Sequence, residues 1–209
     1  MGLRHWWDDK VVPRLIRCAC GHPSVMKVRS QVVPLAEGRV FEIGCGGGIN
    51  QRFYDPARVT AYCGLDPSAK GLDFAREAAR VPDAQFVAGA GEQLPFPDDS
   101  FDTVVCTYTL CSVDDPGRTL AELRRVLKPG GALLYAEHGH APDAGVARWQ
   151  ARIEPVWSSL AGNCHLTRPV TPAIAAAGFA PERMGAHYAS GAPRFVSWME
   201  WGRAVKPAV

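Results

Sequence analysis

No charge of either sign dominates this sequence: 23 lysines and arginines stand against 21 aspartates and glutamates, a formal net charge of +2. That balance removes the electrostatic reason for holding a polyanion, so nucleic acid is not expected as a partner. Long apolar runs are missing as well. None reaches the roughly 18 to 20 residues of a membrane-spanning helix, and the opening "MGLRHWWDDK" has no secretory h-region. The expected address is the cytoplasm. Disulfide and metal spacings are also lacking. Seven cysteines, an odd number, occur at irregular intervals without C-x-x-C or H-x-x-x-H, which predicts reduced thiols, no structural disulfide and no metal. Internal repeats and low-complexity tracts are absent too.

What remains is an ordinary globular composition, 47% hydrophobic and 21% charged over 209 residues, enough for one core. Before residue 38 the pattern is helical. "PRLIRCAC" closes at Gly21, and "PSVMKVRSQVV" opens with Pro23 and stops before Pro34. From Arg39 strand-like and helix-like stretches alternate. "RVFEIG" leads into a segment through Phe53, "TAYCGLD" into "SAKGLDFAREAAR", then come "AQFVAG", "FDTVVCTYTL" with "PGRTLAELRRVL", and "GALLYAEH" after the turn "KPGG". "RWQARIEPVWSSLAG" is helical with a bend or restart at Pro155, and "TPAIAAAGF" is a short helix ending at Gly178. Two strand-like runs flank "SGAP" near the end. The pattern predicts an α/β fold: a Rossmann-like, doubly wound seven-stranded sheet, mostly parallel, with an antiparallel C-terminal hairpin. Residues 1–37 are expected to be an N-terminal helical lid segment and 38–209 the domain proper.

The stretch "VFEIGCGGGIN" is the first strand-to-helix turn, the usual ligand cradle of such a sheet. It is not the dinucleotide fingerprint, because Ile49 stands where G-x-G-x-x-G needs its last glycine. Glu42, just ahead of the loop, repels a pyrophosphate and attracts a cation. Asp66 ends the next strand, where an acid accepts from ribose hydroxyls. A nucleoside joined to a cationic, amino-acid-like group meets both demands, and S-adenosylmethionine is such a molecule.

"FEIGCGGG", "GLDPS", "GEQLPFPDDSFDTVV" and "RVLKPGG", in this order, resemble the class I S-adenosylmethionine-dependent methyltransferases, of the methyltransferase type 11 group. The resemblance implies that Glu42, Gly44, Gly46 and Gly48 hold the methionine end of the cofactor, directly or through water. It implies that Asp66 takes the ribose and Pro67 flanks the adenine, with Gly91 and Glu92 near the adenine edge and Thr107 near the sulfonium. Where the commoner pattern has an aspartate for the adenine amine, this chain has Ala90.

The block "VVCTYTLCSVDDP" lacks the [DNS]-P-P-[YFW] motif that resembling nucleic-acid amino-methyltransferases carry, so a small-molecule acceptor is expected. "CTYTLCSV", "EHGHAPD", "RWQARIEPVW" and "GNCHLTRPV" resemble small bacterial relatives of the membrane-associated alkyl-thiol methyltransferases of animals. That likeness implies an apolar thiol acceptor, with quinones, phenols and phospholipid amines as alternatives shared by similar enzymes. A different reading is a noncatalytic S-adenosylmethionine-binding module. A thiol must lose its proton before attack, so His138, His165 and Arg168 are the catalytic candidates. The competing reading is structural: Glu137 and His138 fix the loop above the sheet, Cys18, Cys20 and His22 mark a helix end, and Cys106 and Cys111 belong to the core. Trp6, Trp7, Val11, Leu15 and Cys18 recur at helical spacing among Arg4, Lys10, Arg14 and Arg17. They suit a lid over the cofactor, with a peripheral membrane contact as the competing use. The chain is expected to be a monomer or homodimer.

Overall fold

The computed structural model describes residues 20–208. Trp6, Trp7, Val11, Leu15 and Cys18 lie outside them, as does nearly all of the first expected helix. The second begins on cue: α1 (Pro23–Val32) has proline in its first turn, and the His22 ring accepts from Ser24 N–H.

Seven strands follow: β1 (Gly38–Ile43), β2 (Val59–Asp66), β3 (Gln85–Ala88), β4 (Phe101–Thr107), β5 (Leu127–His138), β6 (Ala180–Tyr188) and β7 (Trp198–Val205). Their order is β3-β2-β1-β4-β5-β7-β6. β1 through β5 pair in parallel, and β7 lies antiparallel between β5 and β6. The expected doubly wound sheet with an antiparallel C-terminal pair is what forms. The order reverses between β1 and β4, the switch point at which such sheets open a crevice beyond their carboxyl ends.

Strand side chains alternate, so each central strand feeds two cores. Phe41, Ile43, Leu65, Val104, Cys106 and Leu133 pack on one face. Beyond α2 (Ala69–Ala78) in the chain, they meet α3 (Pro116–Val126) and α5 (Val170–Ala176) through Leu120, Leu123, Val126, Val170 and Ile174. On the other face Val40, Tyr62, Val105, Leu134 and Ala136 meet Val28 and Val32 of α1. Each buried leucine, isoleucine, valine or phenylalanine among them contributes about 1.5–3 kcal/mol by leaving water. The α3 stripe is legible in spacing, with Thr119, Leu120, Leu123 and Val126 buried. Its start is set by Asp115, whose side chain accepts from Arg118 N–H at 2.9 Å ahead of Pro116.

Two boundaries differ from the sequence reading. β4 stops at Thr107, because Tyr108 turns the chain at φ +54° and takes it out of the extended region. The helix α4 (Ala144–Leu160) does not restart at Pro155 but runs through it. Proline removes the N–H that would bond the Ala151 carbonyl, and Ala151 is exposed, so that carbonyl is left on the solvent side. Pro155→Ala restores the bond on a solvent-facing turn. Thermal unfolding should show a gain of about 1–2 kcal/mol, the helix-interior cost of proline less its restriction of the unfolded chain.

Candidate functional site

The chain leaves β1 through a turn whose glycines take positive φ: Gly44 at +66°, Gly46 at +48° and Gly48 at +72°. Gly44 is also sterically required, since a Cβ there would come 2.2 Å from Thr109 Oγ1. Gly46 differs: a Cβ on it would meet nothing nearer than 3.9 Å, so its open side is free for a ligand. Across that space stands Asp66 at the end of β2, 9% exposed. Its oxygens accept from Gly46 N–H at 2.9 Å and Ser68 N–H at 2.8 Å. Burial pushes the carboxyl above its ordinary pKa, and those two N–H groups pull it back. A carboxylate offers about four acceptor sites, so Asp66 keeps capacity for a pair of hydroxyls. Pro67, next in sequence, is exposed beside it.

Glu42 has another setting. The two-residue period of β1 puts it on the Val40 side, beneath α1, and it is only 2% exposed. Oε1 accepts from Asn50 Nδ2 at 2.9 Å, and Oε2 from the hydroxyls of Tyr54 at 2.7 Å and Tyr62 at 2.6 Å. Arg29 of α1 extends the network, donating to Asn50 Oδ1 at 2.8 Å and Thr107 Oγ1 at 2.6 Å. Burial still raises the Glu42 pKa, against the lowering effect of Tyr62, Tyr54, Asn50 and Arg29. Three of about four acceptor sites are taken, which leaves one toward a ligand cation. Arg29, Asn50, Tyr54 and Tyr62 were not singled out from sequence. The helical stripe of α1 gives no sign that Arg29 points inward.

After β4, Tyr108 holds its strained backbone at the mouth of the site, with the Arg29 guanidinium 4.9 Å from its ring. The loop beyond is fastened from below by Glu137, fully buried at the end of β5, which accepts from Thr109 N–H at 2.8 Å and Leu110 N–H at 3.1 Å. Burial pushes the Glu137 carboxyl up to about 8, with the Cys111 sulfur adding to the effect. The loop-fixing reading of Glu137 thus matches its contacts. Two residues expected near adenine serve the framework: a Cβ on Gly91 would lie 2.5 Å from Ile43 Cδ1, and Glu92 accepts from the N–H groups of Asp114 and Asp115. Thr107 is buried with its hydroxyl bound by Arg29 and Asn50.

The three catalytic candidates part company. His138 Nε2 lies 3.1 Å from Cys164 Sγ, and its Nδ1 is buried without a partner. Cys111 completes this cluster. Cys111 is buried as expected of a core residue, and its sulfur also shares a polar cluster with His138 and Cys164, whereas Cys106 is core and bonded to Glu137. His165 is committed elsewhere, to Glu154 Oε1 at 2.8 Å and Asn163 Oδ1 at 3.2 Å. Arg168 donates to the Leu110 carbonyl and so braces the residue before Cys111.

The donor set fits the expected cofactor: acids and not lysines flank the glycine turn, Gly46 leaves room above it, and Asp66 retains acceptor sites. Residues 41–135 match the family model described as a methyltransferase domain. Thiol S-methyltransferase TMT1B of Homo sapiens is 42% identical over 142 residues, covering 64% of this chain and 57% of that protein. Demethylmenaquinone methyltransferase of Renibacterium salmoninarum is 40% identical over 107 residues, 49% of this chain and 42% of that one. The chain thus spans little more than half the length of the thiol-acting relative. A SAM-dependent methyltransferase structure from Thermotoga maritima shares the fold, with TM-score 0.70 at 24% identity, covering 98% of this chain and 100% of that one. Residues 41–135 therefore belong to the methyltransferase domain family, whose cofactor is S-adenosylmethionine.

Proposed function

We propose that this chain methylates the sulfur of a small, apolar thiol, using S-adenosylmethionine as donor. Asp66 would hold the ribose hydroxyls, the Gly44–Gly48 turn the methionine end, and Glu42 the ammonium through its remaining acceptor site. When bound, the cofactor supplies a methyl group on a sulfonium, a leaving group that needs no protonation. The chain's own task is to bring the acceptor in line and exclude water.

One observation carries the thiol reading: the groups that converge beyond β4 and β5 are Cys111, His138 and Cys164. A free thiol has a pKa near 8.5, so at neutral pH about a few per cent is thiolate. What such an acceptor needs is help in losing its proton, and the Cys111, His138 and Cys164 cluster is the group at that spot able to give it. The 42% identity to a thiol S-methyltransferase points the same way. The quinone reading has the menaquinone-type relative in its favour, but that relative covers 49% of this chain against 64% for the thiol-acting one.

S-adenosylhomocysteine release by the purified protein should appear with alkyl thiols and stay at background with quinols, phenols and lipid amines. Turnover confined to quinols would replace the thiol reading. Cofactor binding without turnover on any acceptor would favour a noncatalytic binding module.

A further inference from the structure

The Cys111, His138 and Cys164 cluster has the composition of a ligand set. The Sγ and imidazole nitrogen atoms lie within 4.8 Å of one another, although the residues come from three separate parts of the chain. Cys111 sits two residues beyond the Thr109 that packs against Gly44, His138 ends β5, and Cys164 follows α4. Two soft sulfurs and an imidazole are a donor set that selects zinc over magnesium or calcium.

We propose that Cys111, His138 and Cys164 bind a zinc ion whose open fourth position takes the acceptor thiol as its thiolate. Bond lengths of about 2.3 Å to sulfur and 2.0–2.1 Å to nitrogen set the edges of a tetrahedral site near 3.5–3.8 Å. The observed spread is at most about 1 Å wider, within reach of side-chain adjustment, and the 3.1 Å Cys164–His138 contact is already tighter. Three protein ligands leave a fourth position open, as catalytic zinc sites do, where structural sites close with four. Two thiolates neutralise the ion before the acceptor binds, and the single negative charge that the acceptor thiolate then adds faces the positive sulfonium.

The surroundings suit coordinated sulfur. Trp157 Nε1–H donates to Cys164 Sγ at 3.2 Å, a bond that orients a ligand and steadies its charge. His138 Nδ1 is buried without a partner among the described residues, and Nε2, 3.1 Å from Cys164 Sγ, is the ring nitrogen that faces the sulfurs.

The second half of the proposal rests on the thiol reading. On coordination the acceptor's S–H proton passes to solvent and the sulfur keeps the electron pair. That pair forms the new S–C bond to the methyl carbon, while the sulfonium's C–S bond breaks with its electrons staying on the departing thioether sulfur. No oxidant or further reactant is consumed.

Protein purified in reductant without chelator should carry close to one zinc per chain by elemental analysis. Cobalt exchanged into it should give intense visible bands of tetrahedral geometry and near-ultraviolet thiolate charge transfer, and ethanethiol should shift the visible bands. Cys111→Ser and Cys164→Ser should each lower metal content at least about five-fold while S-adenosylmethionine affinity stays within about two-fold. Metal below about one tenth per chain with no cobalt bands, or a Cys111–Cys164 disulfide in its place, overturns the site. Cobalt bands that saturating ethanethiol leaves unmoved overturn the acceptor half. Bands that shift in a protein that never methylates thiols uphold the site and sink the proposed reaction, so the two failures are told apart.

Discussion

Asp66→Ala should weaken S-adenosylmethionine binding by about 100-fold, measured by calorimetric titration, while the protein remains folded. Both carboxylate oxygens already anchor backbone N–H groups, one of them Gly46 in the glycine turn. Hydrogen bonds to a charged group are worth roughly 1.5–3 kcal/mol each. Losing those to two ribose hydroxyls, offset in part by rehydration, comes to about 3 kcal/mol, or two powers of ten. Fold stability suffers less, because the orphaned N–H groups of Gly46 and Ser68 sit at a partly exposed loop where water replaces the acceptor. Asp66→Asn keeps one carbonyl oxygen and the shape of the turn, so a loss of about ten-fold is expected. An Asp66→Ala protein that binds within about three-fold of the parent would remove Asp66 from the cofactor site.

Asp66 was legible because it obeys a linear rule: an acid at the end of the strand after a glycine turn. The sheet was legible for the same kind of reason. Apolar runs of strand length alternate with helices such as α3, whose Asp115 and Pro116 announce its start. The Cys111, His138 and Cys164 cluster has no such signature. Its members lie after β4, at the end of β5 and after α4, brought together where Gln150 of α4 bonds Gly139 and Ala141 just past β5, and no spacing along the chain encodes that. His165 attracted notice because it adjoins Cys164, yet its ring is committed to Glu154 on α4. Glu42 was found but its surroundings were not. A strand residue's face is fixed by period two, but which helix covers that face, and that it brings Arg29, is a tertiary fact.

That tertiary fact makes Glu42→Ala chiefly a stability variant. The substitution strips the acceptor from Asn50, Tyr54 and Tyr62 together and opens a buried network that also holds Arg29 through Asn50. Breaking a buried charge network from one side costs about 3–5 kcal/mol. A domain of this size loses about 2–4 °C per kcal/mol, so thermal unfolding should begin roughly 6–20 °C lower. Glu42→Gln should be far milder, since its carbonyl still accepts and the tyrosine hydroxyls can accept in turn from its amide. The pair also separates the effect of charge. Because burial raises the folded pKa of Glu42 above its unfolded value, its contribution is complete below the ordinary carboxylate range. It then falls as pH rises through the raised value. Glu42→Gln, neutral throughout, should therefore lose less stability between acid and neutral pH than the parent. Equal pH slopes in the two proteins would mean that Glu42 titrates in the fold as it does unfolded, whereas a parent that gains stability over Glu42→Gln as pH rises would mean that Arg29 and the tyrosines hold Glu42 ionised. A Glu42→Ala protein as stable as the parent would mean the network contributes nothing to the loop. If such a protein still lost cofactor affinity, Glu42 would act on the ligand directly and not through Asn50 and Tyr54.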